Sequence, residues 1–352
     1  MENTTVEALN STFVDRGAGY LSYKLILFLA VLIPVTVLDI LLILSTCLET
    51  SVNLTIRLVL LNIPVSSLVM IAGFAADHVA AVHLTLARNP QSPPAAPCYL
   101  IVYSIAVGAS ARLVFMSLFA TTSFLIIRLG KKRIRPVFLA LISLLLWFIL
   151  IVFNLIIVIP AVVGVNWDDG VSCRPFPESE ALAFAFIGVD IIVFGLAPFV
   201  LTIVLPIATY CYIKQSVITE DLKTKKILVK FTLFLIIGNA ISAVGLLAIL
   251  LISTLSPRDT DPTVDTALLR TANIITHLSF IPAPILILFY FPAIRRRLQH
   301  LLECVFCFAC RRIGYDYRAQ CRRLCPRCDK AELASKDMSS AGASTNSTNV
   351  TR

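Results

Sequence analysis

The chain has 352 residues, of which 58% are hydrophobic and 14% charged, and its formal net charge is +9. This composition is too apolar for a water-soluble globular protein of that length. The positive charge is compatible with a nucleic-acid partner, but nearly all Lys and Arg residues fall on one side of a series of apolar stretches. The pattern argues against nucleic acid and favours a membrane protein.

Seven apolar stretches alternate with polar connectors along the chain. Each is long enough to cross a bilayer, which takes about 20 residues of helix. Helices are expected because the hydrocarbon core has no water to satisfy the backbone. The stretches are Tyr23–Leu48, Leu58–Val82, Tyr99–Ile127, Val137–Val163, Ala183–Tyr212, Ile227–Ile252 and Leu268–Phe291. The sequence therefore predicts an all-α membrane protein with a seven-helix bundle over residues 23–293.

Basic residues are concentrated in alternate connectors, as the positive-inside rule describes. On one face they are Arg57, Arg128, Lys131, Lys132, Arg133, Arg135, Lys214, Lys223, Lys225, Lys226, Lys230 and the tail from Arg295 onward. The other face has only Arg16, Lys24, Arg88, Arg174, Arg258 and Arg270, diluted by acidic residues. This predicts a multi-pass plasma-membrane protein with residues 1–22 extracellular and the C-terminus cytoplasmic.

The two ends of the chain carry weaker signals. Asn3 and Asn10 begin glycosylation sequons on the predicted outer side, whereas similar triplets at Asn53, Asn346 and Asn349 are predicted to be inside and unmodified. No short leader precedes the first stretch, which is therefore expected to act as an uncleaved insertion signal. The tail over residues 311–352 is first basic and then, after about Ala331, small and polar, and disorder is predicted for that last part.

The placement of the ten cysteines is informative. Only Cys98 and Cys173 lie in or beside connectors on the predicted oxidising side. Two partners in one compartment predict a single disulfide bond, which would hold the loop containing Trp167 and Asp168 over the mouth of the bundle. The alternative is a pair of unrelated free thiols.

Three local motifs stand at characteristic places. Trp147 lies within the fourth stretch, and Leu61–Leu68 follows the pattern Leu-Asn-Leu-Ala-x-x-Asp-Leu. Pro284–Arg296 follows a Pro-x-x-Tyr segment and a Phe-Arg pair, with Ile in place of both aromatic residues. Over about residues 23–310 the chain resembles the rhodopsin-like (class A) G-protein-coupled receptors. The resemblance implies a rhodopsin-like bundle with a short cytoplasmic eighth helix.

The resemblance also has clear departures. It implies the same disulfide bond, because the family joins the outer end of its third helix to its second extracellular loop, as Cys98 and Cys173 would. The family's Asp-Arg-Tyr switch aligns with Thr122–Phe124, its second-helix Asp with Ser67, and its seventh-helix Asn with Ala283. The resemblance thus implies the fold, but the family's activation mechanism cannot be carried over.

Arg112 lies in the middle of the third stretch, where an unpaired guanidinium is costly and normally turns inward toward a partner. The alignment places it beside the pocket where many relatives bind sodium. We predict an intramembrane switch in which Arg112 replaces the ion, with Asp39 as its carboxylate and with Ser67 and Ser279 completing the hydrogen bonds. The alternative is an Arg that is solvated by water and has no switching role.

A ligand pocket is predicted in the outer third of the bundle, where the resemblance implies small-ligand binding. The polar residues there are Asp77 and His78 in the second stretch and Asn273 and His277 in the seventh. The alternative is that they only meet interfacial water. His277 aligns with the retinal lysine of opsins, so a retinal Schiff base is excluded, and Ile105 at the amine-binding position disfavours a classical amine pocket.

Residues 294–310 are predicted to form the amphipathic eighth helix, with leucines toward lipid and arginines toward headgroups. Cys304, Cys307 and Cys310 stand where receptors of this family are palmitoylated. A rival interpretation pairs the Cys-x-x-Cys at residues 307–310 with a second one at residues 325–328 as a zinc site.

Contact with a transducer is predicted on the cytoplasmic side. The predicted residues are Ser123, Lys131, Lys132, Arg133, Lys225 and Lys226. Ser123 aligns with the family's switch arginine, and the basic residues would meet an acidic partner surface. Attraction to the anionic leaflet is the alternative explanation for the charges.

The sequence contains no recognisable enzyme signature, and no cofactor is expected. The leading hypothesis is a receptor that binds an extracellular ligand of unknown class and acts on a heterotrimeric G protein or a related transducer, among membrane lipids. The alternative is a seven-helix transporter or channel whose path is lined by Asp39, Asp77, Arg112 and Asp190. No internal repeat supports that alternative.

Overall fold

A computed structural model describes residues 23–86, 95–129, 134–161, 167–168, 172–173, 188, 191–215, 227–237, 240–241, 244–245, 248 and 262–312. This part of the chain is almost entirely helical. The helices are α1 (Tyr23–Leu48), α2 (Leu54–Leu86), α3 (Ala95–Leu129), α4 (Pro136–Ala161), α5 (Ala197–Gln215), α6 (Ile227–Ile237), α7 (Pro262–Leu278), α8 (Pro282–Tyr290) and α9 (Pro292–Arg312). The predicted all-α class is confirmed.

Six stretches of described helix are long and apolar enough to cross a membrane, which is the pattern of a multi-pass membrane protein. They are Tyr23–Leu48, Leu54–Ala80, Tyr99–Leu129, Pro136–Ile156, Ile192–Ile213 and Arg270–Tyr290. The predicted stretch Ile227–Ile252 is described only in part, as the shorter α6 and a few residues beyond it. A seven-helix bundle therefore stays a prediction.

Helix α4 shows how the bundle meets its surroundings. Its exposed side chains include Phe138, Leu141, Leu144, Leu145 and Phe148. Large apolar groups on the outside would be a liability in water but are the natural surface for contact with lipid. On its inner side, α4 contributes Leu150 to a small hydrophobic core that also contains Phe115 of α3.

The short connection between α1 and α2 is closed by side chains. Asn53 caps α2, because its Oδ1 accepts a hydrogen bond from the Thr55 N–H at 2.9 Å. The Arg57 guanidinium donates to the carbonyls of Cys47 and Glu49 at the end of α1, where a cation is favourable. These caps explain why α2 begins at Leu54, four residues before the start of the predicted stretch.

Helices α2 and α3 approach each other closely at two glycines. A Cβ added to Gly108 of α3 would lie 2.5 Å from the backbone nitrogen of Met70 in α2. A Cβ on Gly73 would lie 3.0 Å from the backbone nitrogen of Ile105. Small residues allow such close approach of membrane helices, for which packing replaces the hydrophobic effect as the driving force.

Two π-helical segments precede prolines at the same spacing. Phe28–Leu32 ends two residues before Pro34 in α1, and Ile191–Leu196 ends two residues before Pro198 in α5. Proline lacks the N–H that would bond to the carbonyl four residues earlier, so the preceding turn widens. Of the two prolines in α5, only Pro198 accompanies such a distortion, because the helix runs through Pro206 as regular α-helix.

The seventh stretch is broken, although the sequence predicts one helix over Leu268–Phe291. Helix α7 ends at Leu278, a turn over residues 279–281 follows, and α8 begins at Pro282. The N–H groups of Phe280 and Ile281 bond only three residues back, at 3.2 Å each. Pro282 and Pro284 offer no N–H to continue the α-helical pattern. The break positions the candidate site described below.

A two-residue antiparallel ladder pairs β1 (Trp167–Asp168) with β2 (Ser172–Cys173), with Trp167 opposite Cys173. Strand β2 lies near α2 and α3. The side chains of Cys98 and Cys173 lie outside the described part, so their disulfide bond stays a prediction.

The chain divides into two compact units, residues 1–294 and 295–352. Most of α9 belongs to the second unit, and its helix begins at Pro292, two residues before the predicted start. The side chains of Cys304, Cys307 and Cys310 are not among those described. Palmitoylation and zinc binding at these cysteines therefore stay predictions.

Candidate functional site

A buried ion pair joins α1 to α2. The Lys24 Nζ donates to the Asp77 Oδ2 at 2.7 Å, and the lysine is only 3% exposed. Lys24 is the second residue of α1, and Asp77 lies in the last third of α2. We call Lys24, Asp77, His78 and His277 the Lys24 cluster, because the two histidines lie beside this pair.

His78 of α2 and His277 of α7 face each other within the Lys24 cluster. Their ring centroids are 5.2 Å apart, and the two residues are 5% and 1% exposed. The His277 Nδ1 contacts the Asn273 carbonyl at 2.7 Å, which leaves the Nε2 free to face a neighbour. The His277 Nε2 and both ring nitrogens of His78 have no hydrogen-bond partner among the described residues. Three buried imidazole nitrogens without a hydrogen-bond partner in one cluster are unusual, since buried polar groups normally form hydrogen bonds.

Arg112 of α3 reaches the break between α7 and α8. Its Nη2 donates to the main-chain carbonyl of Ser279 at 2.5 Å, and its Nη1 lies 3.5 Å from the Ser279 Oγ. Its guanidinium carbon is 5.3 Å from the centroid of the Phe280 ring. A carbonyl freed at a helix C-terminus carries partial negative charge, so the guanidinium is a suitable partner for it.

Asp39 and Ser67 are buried in the same region, at 1% exposure each. The predicted ion pair does not form, because the described residues include no Arg112 nitrogen within 4.0 Å of an Asp39 oxygen. Asp39 nevertheless lies within electrostatic range of Arg112. The Asp39 Oδ2, the Ser67 Oγ and the Arg112 Nε have no hydrogen-bond partner in the described part. Arg112 does not pair with Asp39 because its guanidinium donates instead to the Ser279 carbonyl.

Phe280 connects these two groups of residues. Its ring is 6.4 Å from the ring of His277 and 6.1 Å from that of Phe74, and it also packs on Arg112. Phe74 in turn packs on His277 at 4.7 Å. A continuous series of contacts therefore runs from Lys24 in α1 to Arg112 in α3.

Aromatic rings cluster where α3, α6 and α8 meet. Phe231 of α6 lies 5.1 Å from Phe119 of α3, 6.0 Å from Tyr290 and 5.2 Å from Phe291. The rings are mostly edge to face, an arrangement that adds about 0.5–1.5 kcal/mol per pair beyond burial. This aromatic cluster ties the described part of the sixth stretch to the seventh.

Trp147 joins α4 to α2. Its Nε1 donates to the Asn62 Oδ1 at 2.9 Å, and the Asn62 Nδ2 lies 3.3 Å from the Ser143 Oγ. Both Trp147 and Asn62 belong to motifs that carry the receptor resemblance. The contact orients a polar group within an otherwise apolar helix interface.

The structure brings together the side chains of three of the four residues that were predicted to bind a ligand. Asp77, His78 and His277 come together, whereas Asn273 contributes its main-chain carbonyl to His277. Ser123, which was predicted to contact a transducer, lies in α3 and is buried at 6% exposure, as is the preceding Thr122. Several predicted residues lie outside the described residues, namely Asn3, Asn10, Lys131, Lys132, Arg133, Asp190, Lys225 and Lys226.

Sequence reasoning missed three contributors, Lys24, Phe74 and Phe280. Lys24 is assigned to the outer connectors by charge counting, although it is the second residue of the first apolar stretch. A basic residue inside that stretch and an acid near the end of the next could have suggested the pair. The two phenylalanines give no signal of their own, because aromatic residues are common throughout the chain.

No protein-family model and no curated protein matches this chain. The class that the structure defines is that of a helical, multi-pass membrane protein with an apolar core that encloses several polar and charged residues.

Proposed function

We propose that the protein is a seven-helix receptor, in which an extracellular ligand shifts a conformational equilibrium that a heterotrimeric G protein or a related transducer detects. The single observation that carries this proposal is the contact of Arg112 with the broken junction of α7 and α8. In this proposal the junction has two arrangements, one held by the buried cation and one released from it.

The contacts suggest how a signal passes. A ligand at the Lys24 cluster changes the position of α7, because His277 belongs to that helix. Phe280 transmits the displacement to Arg112, and α8 continues from the break into the aromatic cluster around Phe231. Repacking of those rings moves α6 against α3 and alters the cytoplasmic surface near Ser123 and the basic connectors.

The proposal also includes the predicted topology, disulfide bond and covalent modifications. The N-terminus faces outward with glycans on Asn3 and Asn10, and the Cys98–Cys173 bond holds the second extracellular loop. Helix α9 lies on the cytoplasmic leaflet with Cys304, Cys307 and Cys310 acylated. The protein resides in the plasma membrane.

The test is expression of the full chain with a panel of G-protein activation sensors, with and without ligand libraries. We expect at least one sensor to respond. Arg112→Gln should raise basal signalling per receptor at the cell surface, because the junction is released. Arg128→Gln on the same helix is the matched control, since Arg128 is exposed and stacks over Phe124. Silence in every sensor would contradict the proposal.

One observation favours a second candidate, a transporter or channel. Discontinuous helices beside buried charges are typical of transporters, and the α7–α8 break stands between Arg112 and the Lys24 cluster. A substrate-dependent current or uptake, abolished by Asp77→Asn or Asp39→Asn in a chain that activates no sensor, would favour this candidate over the receptor.

A further inference from the structure

A groove on the surface of the protein lies between α1 and the start of α8. Its volume is about 180 Å³. One wall is the stretch of α1 from Ala30 to Leu38, and the other wall runs from Ile281 in the turn to Ile285 in α8. Every side chain that lines the groove belongs to Ala, Val, Leu, Ile or Pro, so the groove offers hydrocarbon contacts alone.

The residue types at the walls explain why two packed helices leave this space. Ala30 has only a methyl group to place in it. The rings of Pro34 and Pro284 are bonded back to their own backbone nitrogens and therefore do not reach across the gap. The π-helical segment that precedes Pro34 and the break that precedes α8 bring these residues opposite one another.

The groove is continuous with the surface that faces the hydrocarbon of the membrane. Its floor includes Val31 and Val35, which are buried, whereas Ile285 at its rim and the adjacent Val37 are 53% and 52% exposed. Counted from Tyr23, the α1 wall comprises the eighth to the sixteenth of the 26 residues of that span. A helix rises about 1.5 Å per residue through a hydrocarbon core of about 30 Å, so this wall lies at the depth of acyl chains and not of headgroups.

The chemistry and depth of the groove select its occupant. An apolar cavity of about 150 Å³ stays dry and takes up apolar molecules such as benzene, so water is a poor occupant. An empty groove would forfeit dispersion contacts along both walls. Phospholipid acyl chains surround the span at this depth, and a flexible chain follows an uneven floor of valine and proline better than the rigid rings of a sterol do.

We infer that the groove between α1 and α8 is a binding site for one acyl chain of a membrane phospholipid. The chain contacts Val31 and Val35 on one side and Pro284 on the other, so it braces the turn at residues 279–281 against α1. The junction that Arg112 contacts from α3 is thereby also supported from the membrane side. The site does not depend on the proposed receptor function.

The experiment uses the full chain in nanodiscs of phosphatidylcholine that carries a diazirine in the middle of one acyl chain. After irradiation, mass spectrometry locates the labelled residues. We expect the label to concentrate at residues 30–38 and 281–285 and to exceed that on residues 137–149 of α4, whose exposed apolar side chains represent ordinary contact with lipid. Equal labelling of the two surfaces would show ordinary lipid contact only and would overturn the inference.

A variant that fills the groove provides the second measurement. Ala30→Phe places an aromatic ring at the rim, and we expect it to lose the label at residues 281–285 while the label on α4 is unchanged. Ala208→Phe is the matched control, because Ala208 is exposed on α5 outside the groove, and it should retain the label at both walls. Undiminished labelling of residues 281–285 in Ala30→Phe would contradict the site.

Two further outcomes identify other occupants. A photoactivatable sterol that labels the groove more strongly than the phospholipid does would assign the site to sterol. Protection of the groove from the phospholipid probe in discs that contain two copies would assign it to contact between copies. Either result overturns the inference, and neither bears on the receptor proposal, because the labelling is measured without any transducer.

Discussion

Arg112 shows how a single residue can be accommodated in an apolar interior. It is 2% exposed, and its main partner is a backbone carbonyl that a helix break has made available. Burying a guanidinium in the hydrocarbon region is costly unless its donors are used. The break therefore supplies an acceptor for the Arg112 Nη groups, whereas the Nε has no hydrogen-bond partner in the described part and Asp39 contributes only at longer range.

This arrangement predicts unequal effects for the two partners. Arg112→Gln should lower the free energy of unfolding by about 1.5–3 kcal/mol, because a hydrogen bond to a charged group is lost. Ser279→Ala should cost less than about 1 kcal/mol, since the main-chain carbonyl stays in place. Thermal unfolding of the detergent-purified chain measures both, with Arg128→Gln as the control. Equal losses for the two variants would show that the side-chain hydroxyl is the true partner.

The Lys24–Asp77 pair leads to a second prediction at this scale. Lys24→Met should destabilise the protein by about 3–5 kcal/mol, because it leaves a largely buried carboxylate without its cation. The double variant Lys24→Met/Asp77→Leu should be more stable than Lys24→Met alone. The thermal unfolding midpoints of the single and double variants provide the measurement. Simple additivity of the two changes would mean that the residues do not interact energetically.

At the scale of elements, close packing and irregular helices shape the bundle. Gly108 lets α3 touch the backbone of α2 near Met70, and prolines create two π-helical segments and the break before α8. Irregular backbone at membrane depth is tolerated where it is enclosed by protein. The break at residues 279–281 meets this condition, because Ser279 and Phe280 are both fully buried.

The α2–α3 contact can be tested with a matched pair of glycine substitutions. Gly108→Ala should destabilise the protein by about 1–3 kcal/mol, since the new methyl group would overlap the Met70 backbone and the helices must separate. Gly188→Ala should have little effect, because among the described residues no non-neighbouring atom lies within 4 Å of the added Cβ. The yield of folded protein and its melting temperature compare the two. A neutral Gly108→Ala would mean that the helices are farther apart than described.

At the scale of the whole molecule, the open question is orientation in the membrane. The distribution of Lys and Arg predicts the N-terminus outside. In that case glycans should be attached at Asn3 or Asn10 and absent from Asn346 and Asn349. The double variant Asn3→Gln/Asn10→Gln should lose the glycosidase-sensitive mobility shift of the full chain. The double variant Asn346→Gln/Asn349→Gln should retain it, and the reverse pattern would invert the topology.

Part of the fold and of the candidate site follows from local sequence. Apolar length predicted five of the six spans to within a few residues at most ends, because transfer into lipid depends on composition and not on partners. The inward orientation of Arg112 was also predictable from the cost of an exposed intramembrane charge, and the resemblance pointed to Ser279 as its neighbour. The Arg112–Asp39 ion pair was wrong, since sequence does not reveal a free carbonyl at a helix break.

The sequence by itself determined that this is a helical membrane protein with a few buried polar residues, because hydrophobicity and helical length are properties of single segments. Only the tertiary structure decided which of those residues meet. Lys24 with Asp77, His78 with His277, and Arg112 with Ser279 are each contributed by two different helices. Such pairings depend on how helices rotate, approach at glycines and break at prolines, and these are properties of the packed bundle.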